Sequence, residues 1–67
     1  MFETKQVKST AITEVSYDED TQILRIQFAR GAVYDYPNVP AEEFVNLVNA
    51  PSVGQYFNQH IKHYAAS

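Results

Sequence analysis

The sequence predicts an α+β domain: a three-stranded antiparallel β-meander followed by two α-helices packed on one face of the sheet. Three observations carry this. Residues 22–37 read QILRIQFARGAVYDYP, in which Leu24, Ile26 and Phe28 alternate with Arg25 and Gln27, the period-two pattern of a half-buried strand. Gly31 interrupts that run at a point suited to a tight turn. Beyond Pro37 the apolar spacing changes from two to three and four, the helical period.

The hairpin comes first because its register fixes which way the tyrosines face. Ala29-Arg30-Gly31 forms a three-residue loop, with Gly31 in the φ > 0 position that glycine adopts without cost. Phe28 then pairs with Ala32, Ile26 with Tyr34 and Leu24 with Tyr36. Paired residues share a face, so Tyr34 and Tyr36 join Leu24 and Ile26 on the apolar side. A four-residue loop would reverse that parity.

The other elements follow in order. Residues 1–8 are polar and are expected to be irregular, with Phe2 and Val7 as tethers. Residues 11–17 (AITEVSY) form the first strand. Ala11, Thr13, Val15 and Tyr17 are assigned inward; Ile12, Glu14 and Ser16 outward. Asp18-Glu19-Asp20-Thr21 is a solvated loop, since the twelve-residue calcium-loop pattern is missing. The outer face of the meander then carries Ile12, Glu14, Ile23, Arg25, Gln27, Val33 and Asp35. Glu14 or Asp35 is expected to pair with Arg25 across strands. Such a mixed face suits either solvent or a subunit interface with an apolar centre at Ile23 and Val33.

Pro40 suits a first helical position, and Glu42 and Glu43 place negative charge in the first turn. Phe44, Leu47 and Val48 share one face, and Asn49-Ala50-Pro51 ends the helix. Ser52 and Gln55 match a capping box for a second helix running to about Tyr64. Its apolar stripe is Val53, Tyr56, Phe57, His60, Ile61 and Tyr64.

Size and charge bound the function. The 67 residues are expected to form one domain. At this size about 60% of the unfolded surface can be buried, so a partner subunit is a natural source of extra stability. There is no cysteine, so disulfides and thiolate metal sites are excluded. The net charge is −3, with basic residues scattered at Lys5, Lys8, Arg25, Arg30 and Lys62, which disfavours tight electrostatic capture of a long nucleic acid. No apolar run has membrane-spanning length and no signal peptide is evident, so a cytoplasmic protein is expected.

No catalytic pattern stands out. His60 and His63 lie three apart but have no third ligand nearby in sequence. No serine has a nucleophile-elbow context. An enzyme is not expected, nor is a metal or cofactor. More suggestive are the free N–H groups expected at Val53 and Gly54, at the start of the second helix capped by Ser52, with Asn58 one turn on; Gly54 also suits close packing against the sheet. Tyrosine rings beside such a helix start could stack a base.

Together, Ser9-Thr10-Ala11-Ile12, Tyr17-Asp18, Leu24 and Phe28, Gly31, Tyr34-x-Tyr36, Val39-Pro40 and Ser52-x-Gly54-x-Tyr56-Phe57-Asn58-x-x-Ile61 resemble the KTSC domain. The resemblance runs from about Val7 to Tyr64. Thr10 departs from the more common serine and keeps the hydroxyl. The family occurs at the C-terminus of some lysyl-tRNA synthetases and as small stand-alone proteins of bacteria and their phages. The resemblance implies a small α+β domain with a central Y-x-Y motif. Through the synthetase context it also suggests RNA binding.

Three functional expectations result. The first is a non-enzymatic homo-oligomer that binds or sequesters a nucleotide-like small molecule, such as a host defence signal captured by a phage. Its candidate ligand residues are Tyr34, Tyr36 and Tyr56 for stacking, Arg25 or Arg30 for phosphate, and Ser52, Gly54 and Asn58 at the helix start. The second is an RNA-binding accessory module using Arg25, Arg30 or Lys62. The third is a protein-interaction module acting through Ile23 and Val33.

Overall fold

The computed structural model describes residues 1–64. The fold is α+β, as expected, but the sheet has four strands rather than three. They are β1 (Glu3–Gln6), β2 (Ile12–Asp18), β3 (Ile23–Phe28) and β4 (Val33–Tyr36), antiparallel and in the order β1-β2-β3-β4. Helix α1 (Ala41–Val48) and a second helical segment cover one face. That segment begins as α2 (Val53–Tyr56) and continues as a π-helical turn (Phe57–Ile61).

The β3–β4 hairpin has the expected three-residue register. Ile26 opposes Tyr34 and Leu24 opposes Tyr36. The Phe28 N–H donates to the Ala32 carbonyl at 2.8 Å, and the Gly31 N–H donates to the Phe28 carbonyl at 2.9 Å. Gly31 has φ 99°, a value a β-carbon would strain. Leu24, Ile26 and Tyr36 are consequently buried.

The N-terminal segment corrects the expectation of an irregular tail at residues 1–8. Glu3, Thr4, Lys5 and Gln6 pair with Tyr17, Ser16, Val15 and Glu14. All four are exposed, so no apolar alternation announces the strand. It forms because the outer edge of β2 offers unpaired backbone groups to a chain already nearby. Phe2 and Val7 are half-buried tethers, with Val7 packed on the core. The Thr4 and Ser16 hydroxyls lie 2.8 Å apart, covering Ser16 on the outer face. Asp18 accepts from the Met1 amine, the Asp20 N–H and the Thr21 hydroxyl. These bonds, the amine foremost, hold its carboxyl below the usual range.

A second correction concerns β2. Ile12 is fully buried, whereas Ala11 and Thr13 are not. The pairing with β3 skips from Ile12↔Phe28 to Glu14↔Gln27, so Thr13 is an extra residue in a β-bulge. Its hydroxyl donates to the Gln27 carbonyl at 3.3 Å. One inserted residue reverses the parity, so Ile12 and Val15 both reach the core. Ile12 therefore leaves the outer face assigned to it.

The helices follow their caps. Pro40 is the N-cap of α1, one position earlier than expected, with Glu42 and Glu43 in the first turn. Phe44 and Leu47 are buried and Phe44 stacks on Tyr17, centroids 5.2 Å apart. The Tyr17 hydroxyl donates to the Val39 carbonyl at 2.6 Å, tying β2 to the loop before α1. Burial, followed by the nearby Glu19 and Asp18 charges, raises the Tyr17 pKa.

Ser52 caps α2 through its side chain, which accepts from the Gln55 N–H at 3.3 Å. The core row from this segment is Val53, Phe57 and Ile61, spaced by four. An α-helix overshoots a full circle by about 40° in four residues, which would swing such a row off the core. The wider π turn, marked by the Lys62 N–H donating to the Phe57 carbonyl at 2.8 Å, offsets that drift. Tyr56 and His60, expected within the stripe, instead form a flanking row with stacked rings 4.3 Å apart. His60 is exposed.

The bulge yields a direct test. Ile12→Ala should cost about 2–5 kcal/mol, a large part of the stability of so small a domain. Thr13→Ala should cost about 1 kcal/mol through its single hydroxyl bond. Urea unfolding of both variants checks the order, which reverses if Thr13 is the inward residue.

Candidate ligand-binding site

The expected site residues fall in three places. The largest group gathers where the β3–β4 turn, the loop before β2 and the start of α2 meet. Phe28 is half-buried there because its strand ends at the rim of the core. Its ring meets Phe57 edge-on at 5.4 Å and Tyr34 edge-on at 5.7 Å. Arg30, exposed on the turn, holds its guanidinium 5.1 Å from the Phe28 centroid and 5.9 Å from that of Tyr34. A guanidinium over two rings is held by the ring quadrupoles and keeps its N–H groups available at its edges. Tyr34 is 39% exposed, so part of its ring is open.

Tyr36 belongs to the same aromatic cluster but is buried, its ring edge-on to Phe57 at 5.7 Å. Burial raises its pKa. Its ring is committed to the core, so it supports Phe57 rather than offering a face for stacking.

Gly54 faces the chain itself. A β-carbon there would lie 3.7 Å from the Ser9 Oγ, an ordinary contact. Ser9 is occupied locally, accepting from the N–H groups of Ala11 (3.2 Å) and Ile12 (3.4 Å). This turn launches β2 and brings the Ser9 hydroxyl against α2. Ser52 is exposed and spent on its cap, and Asn58 is exposed one turn beyond Gly54. At the start of this segment the Gln55 N–H is already spent on the Ser52 hydroxyl.

Two expected residues lie elsewhere. Tyr56 turns toward α1, where its hydroxyl donates to Glu43 Oε1 at 2.5 Å; this bond to Glu43 raises its pKa. Arg25 stands on the outer face, bonded twice to Asp35 at 2.7 and 3.1 Å, with its guanidinium 4.3 Å over the Phe2 ring. Of the two expected partners, Glu14 and Asp35, it is Asp35 that pairs with Arg25. Of the expected interface residues, Ile23 is half-buried on this outer face and Val33 is 51% exposed on β4. Sequence reasoning did not single out Phe28 or Ser9 as site residues. Arg30 beside Phe28 in the hairpin loop was the available signal.

Among the described residues, no group of three or more His, Cys, Asp or Glu side chains is placed to hold a metal ion. No helix among them is long and apolar enough to cross a membrane.

A four-stranded sheet, two helical segments and an aromatic rim beside an arginine define a small α+β domain. The KTSC domain model matches residues 8–64, and the chain belongs to the KTSC domain family. It is similar to a lysine–tRNA ligase of Nostoc punctiforme, 46% identical over 55 residues, covering 82% of this chain and 10% of that protein. It is also similar to an uncharacterized protein of Stutzerimonas stutzeri, 40% identical over 56 residues, covering 84% of this chain and 79% of that one. The chain thus spans about a tenth of the length of that ligase. A crystal structure of a KTSC domain protein from Yersinia pestis matches with a TM-score of 0.94 at 31% identity, covering 100% of this chain and 96% of that one.

The geometry around Gly54 and Asp35 is testable. Gly54→Ala should fold, with a gain of about 0.5–1 kcal/mol from helix propensity, because the added methyl meets only the Ser9 hydroxyl at contact distance. Loss of stability on urea unfolding would show that the glycine is needed for packing. For Asp35, the hydrogen bond from Arg25 lowers the carboxyl pKa. The stabilisation is therefore complete above the unfolded carboxylate value and is lost as pH falls through the folded one. The urea midpoints of the parent chain and Asp35→Asn should differ at about pH 6 and converge toward about pH 2.

Proposed function

We propose that this protein is a non-enzymatic binding module for a nucleotide-like small molecule, held at the rim formed by Arg30, Tyr34 and Phe28. The observation that carries the reading is the Arg30 guanidinium 5.1 Å from the Phe28 centroid and 5.9 Å from that of the partly open Tyr34. The two rings draw the cation to the open end of the cluster, where its N–H groups suit a phosphate beside a planar base. An aromatic face accepts any base, and one arginine neutralises one phosphate, so a short ligand fits better than a polymer. Asn58, next to Phe57 in the chain, and the Ser9 hydroxyl against Gly54 supply polar groups on the α2 side. The role consistent with these parts is stoichiometric capture of a signalling nucleotide, which needs no catalytic group.

A thermal-shift screen with mononucleotides, dinucleotides and cyclic dinucleotides tests this. A ligand at a hundred times its dissociation constant stabilises the native state by about 2.7 kcal/mol. At least one nucleotide should raise Tm, and Arg30→Ala should remove the rise while leaving the unliganded Tm nearly unchanged. No rise with any nucleotide sinks the reading.

A second reading, an RNA-binding accessory module, is favoured by the similarity to lysine–tRNA ligases. The net charge of −3 opposes it. It requires an affinity that falls steeply with salt, which a single-phosphate ligand does not show.

A further inference from the structure

We infer that the outer edge of β1 is a self-complementary dimerisation edge, on which a second copy of this chain pairs antiparallel about Thr4 so that Glu3 of each copy faces Lys5 of the other. The inference is independent of the nucleotide reading, because β1 lies at the opposite edge of the sheet from β4 and its turn.

The backbone sets the register. The Val7 N–H donates to the Thr13 carbonyl at 3.3 Å, in the same ladder that pairs Lys5 with Val15 and Glu3 with Tyr17. Antiparallel ladders alternate, so the odd residues direct their N–H and C=O groups to β2, and Thr4 and Gln6 direct theirs outward. A two-fold pairing that uses the outward groups is centred on Glu3, Thr4, Lys5 or Gln6. Centring on Glu3 or on Lys5 opposes two like charges and repels. Centring on Gln6 opposes Lys5 to Val7 and satisfies no charge. Centring on Thr4 makes Thr4 the hydrogen-bonded pair. It also places Glu3 opposite Lys5 twice, at the non-hydrogen-bonded positions where side chains come closest.

The surface beside this edge is shaped for company. Glu3 and Lys5 line a groove of about 480 Å³ between β1 and α1, floored by Tyr17, Phe44 and Val48 with Val45 at its side. Val45 is 52% exposed. Glu3 and Lys5 contact each other within one copy at 3.5 Å, with 64% and 52% of their side-chain surface open. Both charges therefore remain accessible to form an alternating square with a second copy. Charges on an edge strand commonly block pairing. Here the same two charges disfavour the other centred registers and favour the one about Thr4. A four-residue strand pair buries less than a standard interface, so the dimer is a weak one.

Sedimentation velocity up to about 1 mM, the weak end of measurable association, tests the inference. The parent chain should dimerise. Glu3→Lys and Lys5→Glu should each be monomeric over this range, with dissociation constants at least tenfold weaker. Their equimolar mixture should regain the dimer as a heterodimer, since the two lysines of one copy then face the two glutamates of the other. Thr4→Pro, which removes an outward N–H and leaves the β1–β2 backbone bonds in place while losing the Thr4–Ser16 hydroxyl contact, should be folded by circular dichroism and monomeric by sedimentation. A monomeric parent chain, charge variants that dimerise as well as the parent, or a mixture that stays monomeric would each overturn the proposal.

Discussion

The structure depends on the two-residue parity of its strands. In a sheet with one buried face, a single residue gained or lost exchanges core and solvent along a whole strand. Two local features set that parity here. Gly31, at φ 99°, closes the β3–β4 loop at three residues and sends Leu24, Ile26 and Tyr36 inward. Thr13, the bulged residue, corrects β2 so that Ile12, Val15 and Tyr17 reach the same core. The helices then need only supply apolar rows: Phe44 and Leu47 from α1, and Val53, Phe57 and Ile61 from the second segment.

The same parity divides the polar chemistry between two faces. On the outer face Arg25 is consumed by Asp35 and by the Phe2 ring, so the arginine with the most regular strand position is a structural one. On the helix side the sheet ends at Phe28, and the aromatic chain Tyr36–Phe57–Phe28–Tyr34 runs from core to surface. Arg30 sits at its open end. The cluster is therefore a packed platform with one exposed arginine close to two of its rings.

Membership of the KTSC family sets this chain beside a region of much longer lysine–tRNA ligases and beside small uncharacterized proteins. Its fold is tied by contacts between residues far apart in sequence. The buried hydrogen bond from Tyr17 to Val39 pins the loop before α1, and the Asp18 cluster pins the loop before β3. Neither requires a metal or a disulfide.

The amino-acid sequence by itself determined the hairpin, its loop length, the change to helical spacing after Pro37, the Ser52 cap and a cross-strand carboxylate partner for Arg25. Each rests on residues close in the chain or on adjacent strands, where local sterics and period decide the outcome. Tertiary structure alone decided the rest. Strand β1 has no apolar alternation and exists because β2 has an edge to satisfy. The bulge at Thr13 is visible only against β3, and the π turn at Phe57–Ile61 only against the core row it keeps in line. The candidate site divided for the same reason. The sequence offered Tyr56, Tyr34 and Arg25 as candidate ligand residues, but Glu43 drew Tyr56 toward α1 and Asp35 held Arg25 on the outer face. Partners brought in by the fold compete for the same donors, and a one-dimensional pattern does not contain that competition.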